Sequence, residues 1–375
     1  MNRTIFKIFF AIFLLLATLI AYLTLWPTGL KPQAWYPQEA PKLEGKFALN
    51  DILSNIEIFG SEMGEGPYEK IVYRYGTGPE DVAVDKNGNT YSGYHGGLIR
   101  KFDKNGKFIK IIANTGGRPL GLALDNIGNL IVADANNGLL KIDGQGKIIT
   151  LTTESEGLPL GFTDDLDIAS DGKIYFSDAS YKHTYPNSYE DVMEHSANGR
   201  LLVFDPNTEK TKTLLEDLYF ANGVALSPQE DFVLVNETNE YRVTKYWIKG
   251  IKKGTSEIFI DNLPGFPDNI SVGQNDIFWI ALYGPRMEIA DYLADKPFLR
   301  NILFRLPEST RPLPPNYSFV IGVNSEGKVI YNLQNPSPDS FSPITSVKES
   351  DDYLYFGSLL YDGFGRMKKS KLPTN

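Results

Sequence analysis

One motif occurs six times along the chain and constrains the fold more than any other feature. Each copy has a short alternating strand, a polar turn that often contains glycine, and a second apolar strand, which is typical of a β-hairpin. The copies are PEDVAVDKNGNTYSG (79–93), PLGLALDNIGNLIVAD (119–134), DDLDIASDGKIYFSD (164–178), NGVALSPQEDFVLVNE (222–237), DNISVGQNDIFWIAL (268–282) and ITSVKESDDYLYFGS (344–358). Further strand-like stretches, such as GLIRKFD and GRLLVFD, follow most of them.

Units of four strands that occur six times predict an all-β fold, a six-bladed β-propeller. A β-sandwich is the alternative, but six copies of one hairpin argue against it. The segment 50–59 belongs to no unit, and we expect it to supply the outer strand of the last blade. Two insertions, at about 179–198 and 283–318, are rich in tyrosine, proline and charge. We expect both to form loops over one face of the disc.

The first 30 residues predict a membrane anchor. Arg3 and Lys7 precede an uncharged run from 8 to 30, which is long enough for a transmembrane helix. A cleaved signal peptide is the alternative, but bulky residues such as Trp26 crowd the place where its cleavage site would fall. The basic flank predicts a cytoplasmic N-terminus, with the propeller on the periplasmic, extracytoplasmic or lumenal side.

The composition of the chain predicts three parts. Residues 1–30 form the signal anchor, 31–48 a Pro-rich spacer, and 49–375 the propeller.

The net charge of −9 and the lack of a basic face argue against a nucleic-acid partner. The chain has no cysteine, which excludes disulfides and thiolate chemistry.

The first strands of the six copies share a register that carries oxygen ligands. Aligned positions are Glu80, Leu120, Asp164, Asn222, Asp268 and Ile344. The first strand of each propeller blade lines the central channel, so four blades direct an oxygen toward one axis. Unpaired carboxylates there would repel one another, which a hard cation would relieve, Ca²⁺ ahead of Mg²⁺. Asn269 could add a fifth ligand, although strand-end capping is an alternative role for such residues.

Longer motifs resemble the strictosidine-synthase-like family. They are YFANGVALSPQEDFVLVNETNEYRVTKYWIKG, LPGFPDNIS and FWIALYGPR, with GPEDVAVD and GRLLVFDPNTEKT in agreement, and the resemblance covers most of 70–370. This family includes membrane-anchored proteins. Its wider relatives are regucalcin-type gluconolactonases, paraoxonases and diisopropyl fluorophosphatase. The resemblance implies a six-bladed propeller, in most relatives with calcium in the central channel.

The resemblance also implies roles for particular residues. The calcium ligands would be Glu80, Asp164, Asn222, Asp268 and Asn269, with Asp164 where relatives more often have asparagine. A second calcium would match Asp81 and Asp165. Asp268 matches the residue that acts as nucleophile or base in the gluconolactonase and fluorophosphatase branches.

Two departures from relatives limit the chemistry. The paraoxonase histidine pair would fall near Leu120 and Ala135, and neither is histidine. The last-blade glutamate of strictosidine synthase would fall at Ile344 or Thr345, which cannot accept a proton at neutral pH. We therefore do not expect Pictet–Spengler condensation.

The sequence leaves two hypotheses. The first is a membrane-anchored, calcium-dependent hydrolase of lactones, aryl esters or related small esters. The second is a non-catalytic propeller, a binding or scaffold module with a structural calcium. Candidate pocket residues, for which loop packing is the alternative role, are His95, His183, Tyr185, Tyr283 and Arg286.

Overall fold

Six four-stranded antiparallel sheets form the molecule and confirm the predicted six-bladed propeller. The structure is a computed structural model that describes residues 3–60 and 77–373. Blade 1 contains β2 (Val82–Val84), β3 (Thr90–Gly93), β4 (Leu98–Phe102) and β5 (Phe108–Asn114); blade 2 contains β6 (Pro119–Leu124), β7 (Leu130–Asp134), β8 (Gly138–Ile142) and β9 (Ile148–Thr152); blade 3 contains β12 (Thr163–Ile168), β13 (Ile174–Asp178), β14 (Gly199–Asp205) and β15 (Lys210–Leu218).

The second half of the ring is built in the same way. Blade 4 contains β16 (Ala221–Leu226), β17 (Phe232–Glu237), β18 (Arg242–Trp247) and β19 (Ser256–Ile260); blade 5 contains β20 (Gly265–Val272), β21 (Phe278–Pro285), β22 (Ser318–Val323) and β23 (Val329–Asn335); blade 6 contains β24 (Val347–Glu349), β25 (Tyr353–Phe356), β26 (Phe364–Lys368) and β1 (Glu57–Phe59). A small ribbon pairs β10 (Glu154–Ser155) with β11 (Leu158–Pro159).

Strand β1 closes the ring, as the sequence predicted. It pairs antiparallel with β26, so the N-terminal segment supplies the outer strand of the last blade. The inner strands are β2, β6, β12, β16, β20 and β24, and each contacts the next around the central channel.

Aspartate and glycine shape the hairpin turns of the first two blades. In the turn between β2 and β3, Oδ1 of Asp85 accepts hydrogen bonds from the backbone N–H groups of Asn87 and Asn89, both at 2.9 Å. Gly88 in the same turn has a φ of 78°, which glycine adopts without a Cβ clash. The same arrangement recurs at Asp103, Asp125 and Asp143. These turns fix the register that points the apolar face of each strand into the interior.

Apolar layers between neighbouring blades form the core. The layer between blades 1 and 2, for example, joins Ile99 to Leu122, Val132 and Leu140, all at most 1% exposed. Each blade covers the next, so the sheets bury both faces only as a closed ring.

The helices within residues 3–60 and 77–373 lie outside the blades. They are α1 (Arg3–Leu25), α2 (Ser188–Glu194), α3 (Glu288–Leu293) and α4 (Pro297–Arg305), and short 3₁₀ segments lie at Gly45–Phe47, Ile52–Asn55, Thr238–Glu240, Gln274–Asp276, Glu308–Thr310 and Lys369–Lys371. Helix α1 has no buried residue and is long and apolar enough to cross a membrane. Helices α2, α3 and α4 lie in the two insertions, so the prediction that these insertions are loops was wrong: tyrosine, proline and charge are also compatible with short surface helices.

The Pro-rich spacer packs against the insertions. Backbone N–H groups of Gln33 and Trp35 donate to the carbonyls of Glu194 (2.8 Å) and Ala294 (3.2 Å). The Trp35 ring stacks on His195, with ring centroids 4.0 Å apart. This attachment was not predicted from the sequence, because a Pro-rich composition carries no information about which surface it contacts.

Candidate functional site

Backbone bulges on four inner strands position the candidate site. The pairing register shifts between Pro119 and Leu122 on β6, Thr163 and Leu166 on β12, Ala221 and Val224 on β16, and Pro267 and Ile270 on β20. On β12 the shift falls at Asp164 and Asp165. A bulge re-aims side chains and is common beside functional sites. These shifts explain how adjacent carboxylates at the mouth of a strand serve different surroundings.

A cavity of about 360 Å³ opens over the centre of the ring. Glu80, Asp164, Asn222 and Asp268 line it, and each is at most 6% exposed. The structure therefore brings together four of the five residues for which the resemblance implied a metal-binding role. The fifth, Asn269, is 1% exposed, and its Nδ2 donates to Oε1 of Glu80 at 2.6 Å.

Several side-chain oxygens of these five residues have no hydrogen-bond partner. Within the described part of the chain, these are Oε2 of Glu80 and the Oδ1 atoms of Asn222 and Asn269. A buried polar atom without a partner is costly, so each such atom calls for an explanation such as a bound ion. Carboxylate and amide oxygens are the ligands that Ca²⁺ takes.

The carboxylates also disfavour one another as charged groups. Burial, and then the charges of Asp268 and Asp164, raise the pKa of Glu80 well above its ordinary value. Burial and the charge of Asp268 do the same to the pKa of Asp164. Burial raises the pKa of Asp268, although a hydrogen bond from Asn222 acts in the opposite direction. A cation among them would remove this repulsion.

The donor set fits a calcium ion by its chemistry. Among residues 3–60 and 77–373, however, no group of three Asp, Glu, His or Cys side chains could hold a metal ion as they stand. An ion would therefore also need the amide oxygens of Asn222 and Asn269.

Asp81 and Asp165 face away from this set and bond to backbone. Oδ2 of Asp81 accepts from the N–H of Leu122 at 3.1 Å, and Oδ2 of Asp165 accepts from the N–H of Val224 at 2.8 Å. Each aspartate thus ties its own inner strand to the inner strand of the next blade.

Both insertions cover the cavity, as the sequence predicted. The first contributes Tyr185, Tyr189 and Val192, and the second contributes Met287 and the segment 312–314. Most of the wall is apolar, and the carboxylates and amides lie at one place in it. This is the usual composition of a small-molecule site.

The candidate pocket residues separate into two groups. Tyr185 and Tyr283 line the cavity, and the charge of Asp268 adds to burial in raising the pKa of Tyr283. His95 does not line it, but its Nδ1 lies 2.9 Å from the Tyr185 hydroxyl. Burial and the charge of Arg118 lower the pKa of His95 to about 4, so this ring is neutral at pH 7.

His183 and Arg286 lie outside the cavity because each is held by carboxylates of the insertions. Nε2 of His183 lies 2.8 Å from Oε2 of Glu194, whose side chain is fully buried. Nη2 of Arg286 lies 2.9 Å from Oδ2 of Asp291 and donates to the carbonyl of Gln38 at 2.8 Å. These contacts give both residues a structural role.

Arg118 is a cavity residue that the sequence analysis missed. It is 1% exposed and lines the cavity, and Nη1 donates to the carbonyl of Gly78 at 2.8 Å. Its Nε and Nη2 atoms have no partner among the described residues. A single arginine in a hairpin motif has no distinctive spacing, so the sequence offered no signal for it.

The position of the last-blade glutamate of strictosidine synthase carries no acid or base. Ile344 is fully buried in an apolar cluster, and the hydroxyl of Thr345 donates to the carbonyl of Glu80 at 2.7 Å.

Comparison with protein families confirms the resemblance noted from the sequence. The strictosidine synthase model matches residues 164–251, and the strictosidine synthase-like N-terminal model matches 68–102. The adipocyte plasma membrane-associated protein of Rattus norvegicus is 40% identical over 204 residues, which cover 52% of this chain and 54% of that protein. Strictosidine synthase-like 13 of Arabidopsis thaliana is 40% identical over 179 residues, 46% of this chain and 44% of that protein. The matches thus span about half the length of these relatives.

Solved structures share the fold at low sequence identity. A gluconolactonase from Xanthomonas campestris has a TM-score of 0.58 and 16% identity, and the match covers 79% of this chain and 86% of that one. A calcium-binding regucalcin from Agrobacterium tumefaciens has a TM-score of 0.53 and 13% identity, with 78% and 93% covered. At this identity the likeness establishes the propeller fold alone.

Proposed function

We propose that this protein is a membrane-anchored, calcium-dependent hydrolase of lactones, aryl esters or related small esters. One observation carries the proposal: a ring of buried carboxylate and amide oxygens, several of them unpaired, lies in the wall of an apolar cavity under two insertions. The gluconolactonase and regucalcin that share the fold agree with this chemistry.

The proposed organisation has three parts. Residues 1–30 would anchor the chain, 31–48 would connect, and 49–375 would form the propeller on the extracytoplasmic or lumenal side. Helix α1 supports the anchor, since it could cross a membrane. Residues 61–76 and 374–375, which fall within the proposed propeller, lie outside the described residues.

The ion would be held by Glu80, Asp164, Asn222, Asp268 and Asn269. Bound there, calcium would polarise the carbonyl group of a substrate in the cavity. The protein itself contributes donors for the same purpose, because the unpaired N–H groups of Arg118 can bind a substrate oxygen. The apolar walls exclude water from the rest of the substrate.

Asp268 would act either as the general base or as the nucleophile. As a base, its carboxylate removes a proton from water while the water oxygen adds to the carbonyl carbon of the lactone. The C–O bond to the ring oxygen then breaks, and that oxygen takes the proton back from Asp268. As a nucleophile, the same carboxylate would add to the carbonyl carbon, and the C–O bond to the ring oxygen would break, so that this oxygen leaves and takes a proton from water. Water would then hydrolyse the resulting acyl anhydride and free the carboxylate of Asp268. The hydrogen bond from Asn222 orients Asp268 for either role.

The test is hydrolysis of a lactone and aryl ester panel by the full chain in detergent micelles. We expect calcium-dependent turnover that Asp268→Asn lowers by about 100-fold or more. Asp171→Asn, at an exposed turn of blade 3 that does not line the cavity, is the control and should retain wild-type activity. Calorimetry of the same proteins should detect calcium binding that Asp268→Asn weakens and the control does not.

Three outcomes would contradict the proposal or its assignment of Asp268. Folded wild-type protein that binds no calcium would exclude the metal-dependent reaction. Calcium binding without turnover of any substrate in the panel would favour the non-catalytic binding module. Unchanged turnover in Asp268→Asn would remove Asp268 from the mechanism.

A further inference from the structure

A lysine contacts Asp81, one of the two aspartates that the resemblance assigned to a second calcium, and its charge acts on the other, Asp165. Lys348 lies on the inner strand β24, and its Nζ is 3.5 Å from Oδ2 of Asp81. Its side chain is 22% exposed, whereas that of Asp81 is fully buried. The ammonium group therefore lies where a second cation would have to bind.

Two buried carboxylates, Asp81 and Asp165, and the partly buried Asp167 share this one positive charge. Asp81, Asp165 and Asp167 each accept a backbone N–H from the next blade, at 3.1, 2.8 and 2.9 Å. These bonds use one oxygen of each group. Oδ1 of Asp81 and Oδ1 of Asp165 have no hydrogen-bond partner within the described residues. Uncompensated carboxylates in this surrounding would be strongly destabilising.

The surroundings of Lys348 favour its charged form. Burial would lower the pKa of a lysine, but the charges of Asp81, Asp165 and Asp167 raise the pKa of Lys348 above its ordinary value. A lysine ammonium is a compact charge on a long stem, so Lys348 can extend from blade 6 toward carboxylates of blades 1 and 3.

We propose that the ammonium group of Lys348 replaces the second calcium ion, so that the channel of this protein takes one metal ion instead of two. Asp81 and Asp165 do not fit a second metal, because the tethered cation already offsets their charge and would repel a divalent ion. The inference does not depend on hydrolase activity and would hold for a binding module as well.

The proposal predicts that removing the lysine charge creates a calcium site. Lys348→Met keeps an unbranched side chain without its charge. In calcium-free buffer we expect the apparent melting temperature of the full chain in micelles to fall by roughly 5–10 °C. Calcium should restore this loss, and calorimetry should count one more calcium ion per chain than in the wild type.

A second lysine offers a matched control. Nζ of Lys101 lies 3.4 Å from Oδ2 of Asp85, and the Lys101 side chain is 20% exposed, close to the 22% of Lys348. Lys101→Met should leave the number of calcium ions per chain unchanged. Its melting temperature should not respond to calcium more than that of the wild type.

A double variant keeps the test decisive if Lys348→Met does not fold. Lys348→Met with Asp81→Asn removes one charge of each sign, so it should be more stable than the single variant and bind no additional calcium. Two calcium ions in the wild type would overturn the proposal, as would equal calcium stoichiometry in folded Lys348→Met. A double variant no more stable than the single variant would also overturn it.

Discussion

At the level of single residues, two glycines allow neighbouring inner strands to approach each other closely. Gly121 and Gly223 occupy the register position that holds Asp81, Asp165 and Asn269 in other blades. A Cβ on Gly121 would lie 2.6 Å from Oδ1 of Asp165, and one on Gly223 would lie 2.3 Å from the backbone nitrogen of Ile270. A side chain at either position would displace the strand that carries the candidate ligands.

Substitution of Gly223 should therefore damage both stability and the site. Because the nearest atoms to a new Cβ are backbone atoms of Asn269 and Ile270, Gly223→Ala should cost about 2 kcal/mol or more of unfolding free energy. Gly144→Ala is the matched control, since a Cβ there meets nothing within 4 Å. Chemical denaturation measures the first effect and calcium calorimetry the second. Equal midpoints for the two variants would show that the strands can separate without cost.

The register of the repeats was enough to predict the carboxylates that line the cavity, but not Arg118, which also lines it, or Lys348, which contacts Asp81. Glu80, Asp164 and Asp268 follow from the hairpin alignment, because short side chains at one register point must face the axis. Arg118 and Lys348 were not predicted. Their charged ends lie several bonds from the backbone, so their positions depend on neighbouring blades and not on their own spacing.

At the scale of strands, the bulges shift the register in which the inner strands pair with their neighbours. Alternation alone says that Asp164 and Asp165 face opposite ways. The structure agrees: Asp164 lines the cavity, Asp165 accepts from the N–H of Val224 on the next blade, and the pairing register shifts around them, between Thr163 and Leu166. Sequence patterns predict strands well, whereas an extra residue in a strand alters the pairing without changing the pattern of apolar residues.

At the scale of helices, Glu194 at the end of α2 joins the spacer to the first insertion. Its fully buried carboxylate accepts from the N–H of Lys31 at 2.8 Å and contacts Lys182 and His183. Burial alone would raise the pKa of Glu194, but the hydrogen bonds from these partners outweigh it and lower the pKa to about 2. The insertions that cover the cavity are therefore fixed partly by the segment that follows α1.

This arrangement predicts a specific acid sensitivity. A carboxyl group with a lowered pKa stabilises the fold fully above its unfolded-state value of 4.5, and the contribution is lost as pH falls toward 2. Glu194→Gln should cost up to about 3 kcal/mol at pH 7. The difference from wild type should shrink between pH 4.5 and 2. Glu190→Gln, on the same helix, is the control for denaturation across this range, and a pH-independent difference for Glu194→Gln would contradict the assignment.

The whole molecule is held together by the return of its N-terminal segment to the last blade. Phe59 on β1 is 8% exposed and packs with Tyr355 and Phe364 of blade 6 and with Val82 and Phe102 of blade 1. The absence of a hairpin unit around 50–59 was enough to predict this closure. The docking of the spacer on the insertions was not predictable, because it depends on surfaces that exist only after the ring has closed.

Closure should make the free energy of unfolding depend strongly on one aromatic ring. Phe59→Ala removes contacts in both the first and the last blade, and we expect a loss of about 3–5 kcal/mol. Ile58→Ala is the matched control on the same strand, because Ile58 is 49% exposed and should cost far less. Denaturant midpoints of the two variants in the full chain measure the difference. The candidate calcium ligands that line the cavity come from blades 1, 3, 4 and 5. Phe59→Ala should therefore also weaken calcium binding, whereas Ile58→Ala should not. Equal effects on stability would mean that the ring is closed by backbone pairing alone, without a contribution from this aromatic cluster.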